Sequence, residues 1–306
     1  MSAPYFRLFS VFALLLALTA KASALEASTK EGEASFGFLK YSLSPRSIAL
    51  GGAGAALVDG IADADLNPAA AARDSGGIAL GQGYPTAFSA TGNYASWNIP
   101  WKSRRITVQA RYLGFDNISG WDDLDASTTA YNAHTLKLQA GTAGKFKGIA
   151  YGVSVAYAQN NVADATYDAW LFNLGMQRDL IAGFAIGASV LNADIWTSDA
   201  RNGDKIIPPV TFQGGVSYSR SLPYHTRMAV AVDARKRNDE ETVFPVGLEG
   251  TWADAISARV GYPFGEPEAS PAFGVGLRWS HFGFDYEYQG NTVLTGAHFW
   301  ALSVKY

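Results

Sequence analysis

The final nine residues read His298-Phe299-Trp300-Ala301-Leu302-Ser303-Val304-Lys305-Tyr306. Trp300, Leu302, Val304 and Tyr306 recur at every second position, so an extended chain would place all four on one face. Apart from Phe299, the residues between them are small or charged. The stretch therefore predicts a β-strand with one strongly apolar face.

The same alternation recurs through most of the chain. Residues 226–235 place Met228 and Val230 on one face and Asp233 and Arg235 on the other. Between residues 76 and 306 we count about fourteen segments with this period of two, each close to ten residues long. The pattern predicts an all-β fold built from a long series of antiparallel strands.

The connections between these segments alternate in length. Short turns such as Trp101 to Ser103 alternate with longer polar segments, which include Asp116 to Tyr131 and Asp194 to Ile207. We expect both of these longer segments to be loops. Short turns at one end and longer loops at the other are typical of an outer-membrane barrel.

The apolar faces could point into a soluble core or outward into lipid, because both arrangements alternate with a period of two. Aromatic residues such as Trp170, Trp252 and Trp279 lie near strand ends, as the interfacial girdles of a membrane barrel do. Strands of this length match a tilted crossing of the hydrocarbon layer. We predict a transmembrane antiparallel outer-membrane β-barrel of about fourteen strands with an N-terminal plug segment.

The last strand has to pair with the first, because closure leaves no unpaired backbone edge in lipid. The face formed by Trp300, Leu302, Val304 and Tyr306, with its final aromatic residue, resembles the assembly signal of bacterial outer-membrane barrels. This resemblance implies that outer-membrane lipid and the barrel assembly machinery are partners of the chain.

The N-terminus has the features of an export signal. One positive charge precedes the apolar run Leu8 to Leu18, and Ala22-Ser23-Ala24 supplies a small-x-small cleavage site. We predict a signal peptide over residues 1–24 and export to the bacterial outer membrane. The chain has no cysteine, which excludes disulfides, thiol chemistry and a lipidated cysteine. A formal net charge of −3 gives no indication of nucleic acid as a partner.

Charged residues fall on the faces that would point into the lumen. Such charges must be paired or hydrated, and a barrel of about fourteen strands is too wide for its wall side chains to fill. We expect these residues to brace an inner plug or to line wet space. The predicted lumen-facing set is Arg111, Lys137, Arg227, Asp233, Arg235, Glu249, Arg259, Arg278, Asp285 and Glu287.

No motif predicts a catalytic, cofactor-binding or metal site. Gly51-Gly52-Ala53-Gly54 lacks the Lys-Ser/Thr of a phosphate loop, so tight backbone packing inside the barrel explains it better. The four histidines show no metal-ligand spacing. Asp122-Asp123-Leu124-Asp125 and residues 199–204 could offer carboxylates to calcium, but neither matches a calcium-loop spacing. We expect no enzymatic activity and no cofactor.

Two N-terminal stretches resemble the start of the FadL-like barrels, most closely the PorV/PorQ branch. They are Ser44 to Leu57, which contains the Gly-Gly-Ala-Gly run, and Asp63 to Ala69, which contains Asn67-Pro68-Ala69. The chain departs from the family pattern after Asn-Pro-Ala, where Ala70-Ala71 stands in place of Gly-Leu.

The resemblance implies a plug over residues 25–75 and a barrel over residues 76–306. Its candidate plug residues are Arg46, Gly51, Gly52, Gly54, Asp59, Asn67 and Pro68. Ala64 to Ala70 is predicted to be the hinge between the plug and the first strand.

The resemblance also implies function. A PorV-like protein would be a docking or shuttle component of type IX secretion, with exported proteins and secretion components as partners. A FadL-like protein would instead be a passive transporter of long-chain fatty acids or other hydrophobic compounds. A purely structural role is a third possibility. The inferred inward residues are mostly small or charged, which disfavours a large lipid pocket and favours the secretion role.

Overall fold

The computed structural model describes residues 34–42, 44–57, 60–85, 90–121, 127–199, 205–266, 269–291 and 296–306. The predicted signal peptide, Asp59, and the acidic residues of 122–125 and 200–204 lie outside the described residues. The strands are β1 (Gly77–Pro85), β2 (Ala90–Trp101), β3 (Arg104–Trp121), β4 (Ser127–Phe146), β5 (Ile149–Val162), β6 (Ala165–Asp179), β7 (Phe184–Thr197), β8 (Thr211–Leu222), β9 (Thr226–Arg237), β10 (Phe244–Trp252), β11 (Ile256–Phe264), β12 (Ala269–Trp279), β13 (Phe282–Asn291) and β14 (Ala297–Lys305).

These strands form a closed barrel in which each one pairs with its neighbours in sequence and β14 returns to β1. The closing pair is antiparallel, with Ile78 opposite Val304 and Leu80 opposite Leu302. Closure satisfies the backbone groups of both terminal strands, which would otherwise be exposed edges. The prediction of a closed antiparallel barrel of about fourteen strands is confirmed.

The two faces of the wall differ as the alternation predicts. On β9 the outward Met228 is 58% exposed, whereas the inward Ala231 is fully buried. Large apolar side chains therefore point away from the barrel and small ones point into it. At the end with the short turns, Trp252 and Trp279 project outward and are 60% and 81% exposed. A surface of this kind is suited to lipid rather than to water.

The prediction that residues 116–131 form a loop is wrong. β3 runs to Trp121 and β4 begins at Ser127, and Ile118 pairs with Tyr131. The two strands continue as a paired ribbon beyond their neighbours, so the polar residues in this segment do not end the strand structure. The predicted loop at residues 194–207 also begins late, because β7 extends to Thr197.

The wall is irregular between β6 and β7, in addition to register shifts near the long-loop ends of the β3–β4 and β12–β13 ladders. The β6–β7 ladder shifts register between Phe172 and Leu174, and Asn192 has a positive φ of 58°. The backbone nitrogen of Asn192 donates to the side-chain oxygen of Asn173 at 2.8 Å, in place of an ordinary ladder bond. This geometry is that of a β-bulge, a feature that bends a strand and redirects its side chains.

Within residues 34–76, as far as the structure describes them, four short helices precede the barrel: the 3-10 helix η1 (Gly37–Lys40), the α-helix α1 (Pro45–Ala49), η2 (Asp63–Asp65) and η3 (Pro68–Ala72). α1 packs against β11 to β14, while η3 packs against β3 to β6 on the other side of the barrel. We call residues 34–42, 44–57 and 60–76 the inner segment, because these contacts place it inside the lumen. No helix in the described ranges is long and apolar enough to cross a membrane.

Candidate functional site

The inner segment is attached to the wall through Arg46 of α1. Its guanidinium donates to both carboxylate oxygens of Glu249, at 2.9 and 3.0 Å. Arg259 of β11 donates to the same carboxylate at 2.7 Å, and Arg46 also lies 3.4 Å from Asp63 of the inner segment. A buried bidentate pair has defined geometry and is costly to break. Arg46 therefore fixes α1 against β10.

A second attachment uses backbone donors. The nitrogens of Gly54 and Ala55 both donate to one oxygen of Asp233, each at 2.8 Å. Gln213 of β8 donates to the same oxygen at 2.7 Å, so Asp233 is held from the wall as well. Gly54 has a φ of 157°, at the edge of the region that side chains rarely adopt. The Gly-Gly-Ala-Gly run thus presents its backbone to the wall.

Asn67 and Pro68 lie inside the barrel and pack against β5 and β6, so their predicted role as part of a hinge is wrong. Asn67 is fully buried, and its side-chain nitrogen donates to the carbonyl of Ala55 at 2.8 Å. Its side-chain oxygen accepts from the nitrogen of Ala69 at 3.0 Å, which caps η3, while Pro68 takes the first helical position. Asn67 therefore joins two parts of the inner segment instead of letting them move apart.

Wall glycines permit this close packing, and the sequence analysis did not identify them. A Cβ on Gly187 of β7 would lie 1.8 Å from the carbonyl oxygen of Ala55, and one on Gly261 of β11 would lie 2.1 Å from the nitrogen of Gly51. Both distances are far below contact, so only glycine allows the two backbones to approach. The sequence signal for this close packing was the recurrence of glycine at inward positions of successive strands.

A third cluster joins η2 of the inner segment to the adjacent strands β3 and β4. Asp65 of η2 lies 2.8 Å from the ammonium of Lys137 and 3.4 Å from the guanidinium of Arg111. Arg111 also donates to the carbonyls of Phe38 and Tyr41. Burial by itself would raise the pKa of Asp65, but Lys137 and Arg111 outweigh it and hold the pKa below its ordinary value. Asp65 is therefore a carboxylate bound to two cations.

Above this cluster, toward the long loops, the lumen contains a cavity of about 480 Å³, which we call the long-loop cavity. Much of its lining is apolar, and the inner segment supplies part of that surface. The apolar residues that line it include Leu39, Ile48, Leu66, Leu113, Phe115, Leu191 and Phe299. The sequence disfavoured a large lipid pocket because only wall positions were considered, whereas the inner segment adds Leu39, Ile48 and Leu66 to the lining.

The charged groups around the long-loop cavity are paired with one another. Arg235 lies 2.8 Å from Glu266, and Arg237 lies 2.5 Å from Glu240. Burial alone would raise the pKa of Glu240, but Arg237 and Lys40 outweigh it and lower that pKa overall. Five cations line the cavity among the residues that the structure describes, and each has an acidic partner: Lys40, Arg111, Lys137, Arg235 and Arg237.

A second cavity of about 810 Å³, the short-turn cavity, opens at the end with the short turns. Its lining is polar and carries charges of both signs, which include Arg46, Asp63, Arg73, Asp74, Arg227, Glu249, Arg259, Arg278 and Asp285. Arg278 contacts both oxygens of Asp285, at 3.0 and 2.8 Å. This cavity is suited to water and small polar solutes, not to hydrocarbon.

A void of about 30 Å³ lies between the two cavities, next to β2, β3 and β4. It shares Ser44, Ala62 and Tyr94 with the short-turn cavity, and it shares Asp65, Arg111 and Lys137 with the long-loop cavity. A volume of this size is about that of one water molecule. The lumen is therefore divided into two chambers, and the Asp65 cluster lies in the barrier between them.

The predicted lumen-facing residues fall into two groups. Eight are buried inside the barrel: Arg111, Lys137, Asp233, Arg235, Glu249, Arg259, Asp285 and Glu287. Arg227 and Arg278 lie at the rim of the short-turn cavity and reach solvent. Among the described residues, the carboxylate oxygens of Glu287 accept no hydrogen bond, and the nearest cation is Arg259 at 3.5 Å. Gly51 and Gly52 line the long-loop cavity.

The predicted assembly strand also has a defined position. Leu302, Val304 and Tyr306 are exposed on the outer surface, and Trp300 lies beside them with partial exposure. Within the described part of the chain, no group of three or more His, Asp or Glu side chains could hold a metal ion.

No family model matches this sequence, and no curated protein matches it. Solved structures do match. The Ralstonia pickettii toluene transporter TbuX has 12% identity and a TM-score of 0.59, over 87% of this chain and 98% of that chain. The TodX monoaromatic hydrocarbon channel, in its deltaS2 mutant form, has 12% identity and a TM-score of 0.62, over 88% of this chain and 98% of that chain.

A FadL homologue from Pseudomonas aeruginosa has 9% identity and a TM-score of 0.53, over 87% of this chain and 98% of that chain. The fold is that of the FadL-like outer-membrane barrels. The predicted resemblance to these barrels is confirmed at the level of the fold. The narrower assignment to the PorV/PorQ branch receives no support from these neighbours and stays a prediction from the N-terminal motif.

Proposed function

We propose that this protein is a passive outer-membrane transporter of small hydrophobic compounds, which bind in the long-loop cavity. The observation that carries the proposal is a cavity of about 480 Å³ lined by leucine, isoleucine and phenylalanine within a barrel whose outer surface is apolar. Sites for small ligands are commonly of this size and are lined mainly by apolar side chains. The neighbours named as a toluene transporter and a monoaromatic hydrocarbon channel support the same conclusion.

The charges around the cavity indicate an uncharged ligand. Lys137 and Arg111 are bound to Asp65, and Arg235 is bound to Glu266. A carboxylate ligand would have to separate one of these pairs, and breaking a buried pair is costly. A neutral hydrocarbon would bind against the apolar lining without disturbing them. We therefore favour hydrocarbons over long-chain fatty acids as the substrate class.

Transport along a concentration gradient requires neither a nucleotide nor a metal. Below the cavity, the inner segment is held by Arg46, Asp233 and Asn67 through buried hydrogen bonds. At the side, Leu191 and Asn192 line the cavity where the β6–β7 ladder is irregular. We expect an apolar ligand to leave sideways at this part of the wall, which leads into the membrane and does not require the inner segment to move.

The test is uptake of radiolabelled toluene and of radiolabelled palmitate into proteoliposomes that contain the purified protein. Leu113→Trp would fill the cavity and lower the initial rate of toluene uptake by about tenfold, as steric exclusion of a ligand predicts. Leu248→Trp is the matched control, because Leu248 lies on the outer face and is half-exposed. Uptake of palmitate but not toluene, or equal effects of the two substitutions, would overturn the proposal.

The docking role in type IX secretion rests on the N-terminal motif around Arg46 and Asn67-Pro68. The experiment that addresses it is the location of exported proteins in a deletion strain. Retention of those proteins in the periplasm, with unchanged hydrocarbon uptake, would favour the secretion role. Normal export with reduced uptake of toluene would favour transport.

A further inference from the structure

Positive charge is concentrated on one section of the short-turn end. Arg104, Lys145, Lys147 and Arg178 are all exposed there. Arg104 begins β3, Lys145 and Lys147 flank the β4–β5 turn, and Arg178 is near the end of β6. We call these four residues the basic patch. None of them forms an ion pair with any residue in the described ranges.

Strand register brings the four cations together. Arg104 pairs with Gly144, the residue before Lys145. Ile149, two residues after Lys147, pairs with Arg178. The basic patch therefore extends over four adjacent strands, β3 to β6. Because paired strands are about 5 Å apart, one anionic group can contact more than one of these cations.

Three cations of the basic patch lie beside the apolar outer wall, whereas Lys145 follows the inward positions Lys137 and Ala143 of β4 and lies at the rim of the lumen. Arg178 is on the same face of β6 as Met176 and Leu174, which are exposed. Phe146 projects outward beside the β4–β5 turn, and the Lys147 ammonium lies 5.4 Å from the centre of its ring. An aromatic ring next to a cation at the edge of an apolar wall is typical of the level of the lipid headgroups.

The rest of this end differs in chemistry. Along β10 to β13 the exposed residues include Trp252 and Trp279, and the exposed Asp254 lies 3.3 Å from His225. At the opposite end of the barrel, Asp116, Asp194 and Asp199 are exposed. Among the described residues, Arg220 of β8 and Lys205 near the long loops are also exposed without an ion pair, but each stands alone, whereas the basic patch brings four such cations onto adjacent strands.

We propose that the basic patch binds the headgroup of an anionic phospholipid in the membrane leaflet at the short-turn end. The cations would contact the phosphate, and the acyl chains would lie along the outer wall above Arg178. An anionic phospholipid fits this site because its phosphate can contact the unpaired cations while its acyl chains contact the adjoining apolar surface. The inference rests on the membrane location that the proposed function assigns to the barrel.

The experiment compares lipids bound to the purified protein by native mass spectrometry, after exposure to mixed micelles of dioleoylphosphatidylglycerol and dioleoylphosphatidylcholine. The wild-type protein should retain phosphatidylglycerol preferentially. In the quadruple variant R104Q/K145Q/K147Q/R178Q this preference should be lost, with a weakening of at most about fivefold for each cation removed. The control is the variant K205Q/K236Q, which also replaces cationic side chains with glutamine but does so at the opposite end of the barrel.

Three results would overturn the proposal: no preference in the wild type, an equal preference in the quadruple variant, or an equal loss in the control. Millimolar inorganic phosphate provides a further arm, and full displacement of the lipid by phosphate would show an anion site without lipid specificity. The heat-modified mobility of the folded barrel on a gel checks that each variant folds.

Toluene uptake in phosphatidylcholine vesicles separates this inference from the proposed function. Wild-type and quadruple-variant proteins should take up toluene equally there. If the quadruple variant loses the lipid preference but takes up toluene normally, both the lipid site and the transport proposal are supported. A wild type that binds phosphatidylglycerol but transports nothing would overturn the transport proposal and leave the lipid site standing.

Discussion

The two chambers of the lumen are enclosed by the same wall but differ in chemistry. The long-loop cavity has an apolar lining and paired charges, whereas the short-turn cavity has a polar lining with charges of both signs. The inner segment accounts for much of this difference. It contributes Leu39, Ile48 and Leu66 to one chamber and Arg46 and Asp63 to the other. The inner segment therefore makes the lining of one cavity more apolar and the lining of the other more polar.

The division depends most on Arg46, so its removal should have the largest effect. Arg46→Ala removes the bidentate partner of the buried Glu249, which keeps Arg259 at 2.7 Å, so the cost stays below the about 3–5 kcal/mol of a buried charge left without any partner. We expect the inner segment to loosen and the ionic conductance of the protein in planar bilayers to rise. Arg73→Ala is the control, because Arg73 pairs with the exposed Asp179 and such pairs contribute about 0–1 kcal/mol. Equal conductance in the two variants would contradict the assignment of Arg46.

The barrier between the chambers can be tested at Asp65. Asp65→Ala removes the partner of both Lys137 and Arg111, and hydrogen bonds to charged groups contribute about 1.5–3 kcal/mol. The two cations would repel each other and widen the void of about 30 Å³. We expect a smaller rise in conductance than for Arg46→Ala, with a preference for anions. Unchanged conductance would show that another contact closes the passage.

Close packing of the segment against the wall can be tested with one methyl group. Gly187→Ala places a Cβ 1.8 Å from the carbonyl of Ala55, and overpacking of this kind costs about 1–3 kcal/mol. Gly250→Ala is the matched control, because a Cβ there meets nothing within 4 Å. Unfolding in guanidinium from lipid vesicles should show a lower free energy of unfolding for Gly187→Ala alone. Similar free energies of unfolding for the two variants would mean that the inner segment can shift to accommodate the added methyl group.

The smallest effect concerns pH. The pKa of Asp65 lies below its ordinary value of 3.8, because Lys137 and Arg111 together outweigh the effect of burial. A depressed carboxyl pKa adds stability at pH values above the ordinary pKa, and that stability is lost as pH falls through the depressed value. The conductance of the wild type should therefore stay low through pH 3.8 and rise only below it. A rise that begins above this pH would contradict the direction of the shift.

Most of the wall could be predicted from the sequence, because each strand has a local signal. Within residues 226–235, for example, apolar side chains recur at every second position, and an extended chain places such positions on one face. The exception was residues 116–131, where polar composition led to the prediction of a loop. The polarity of side chains depends on whether they face water or lipid, whereas strand structure depends on backbone pairing, such as that of Ile118 with Tyr131. A polar segment can therefore still form paired strands.

The interior was less predictable for a different reason. Arg46 and Glu249 are 203 residues apart, and neither has a neighbour in sequence that indicates the other. Asn67 was expected in a hinge because Asn-Pro favours turns. Its turn forms, but the surrounding wall buries it completely, so the turn is rigid. The apolar lining of the long-loop cavity was missed because Leu39, Ile48 and Leu66 belong to the inner segment and not to the wall.

The sequence by itself determined that the chain is a closed antiparallel barrel with an apolar exterior and many inward charges. Period-two alternation is a local property, and lipid imposes closure on any sheet that it surrounds. Only the tertiary structure decided which charges pair, where the inner segment lies and how the lumen is divided. Those features depend on contacts between residues far apart in the chain, and such contacts exist only after the barrel has closed around the segment.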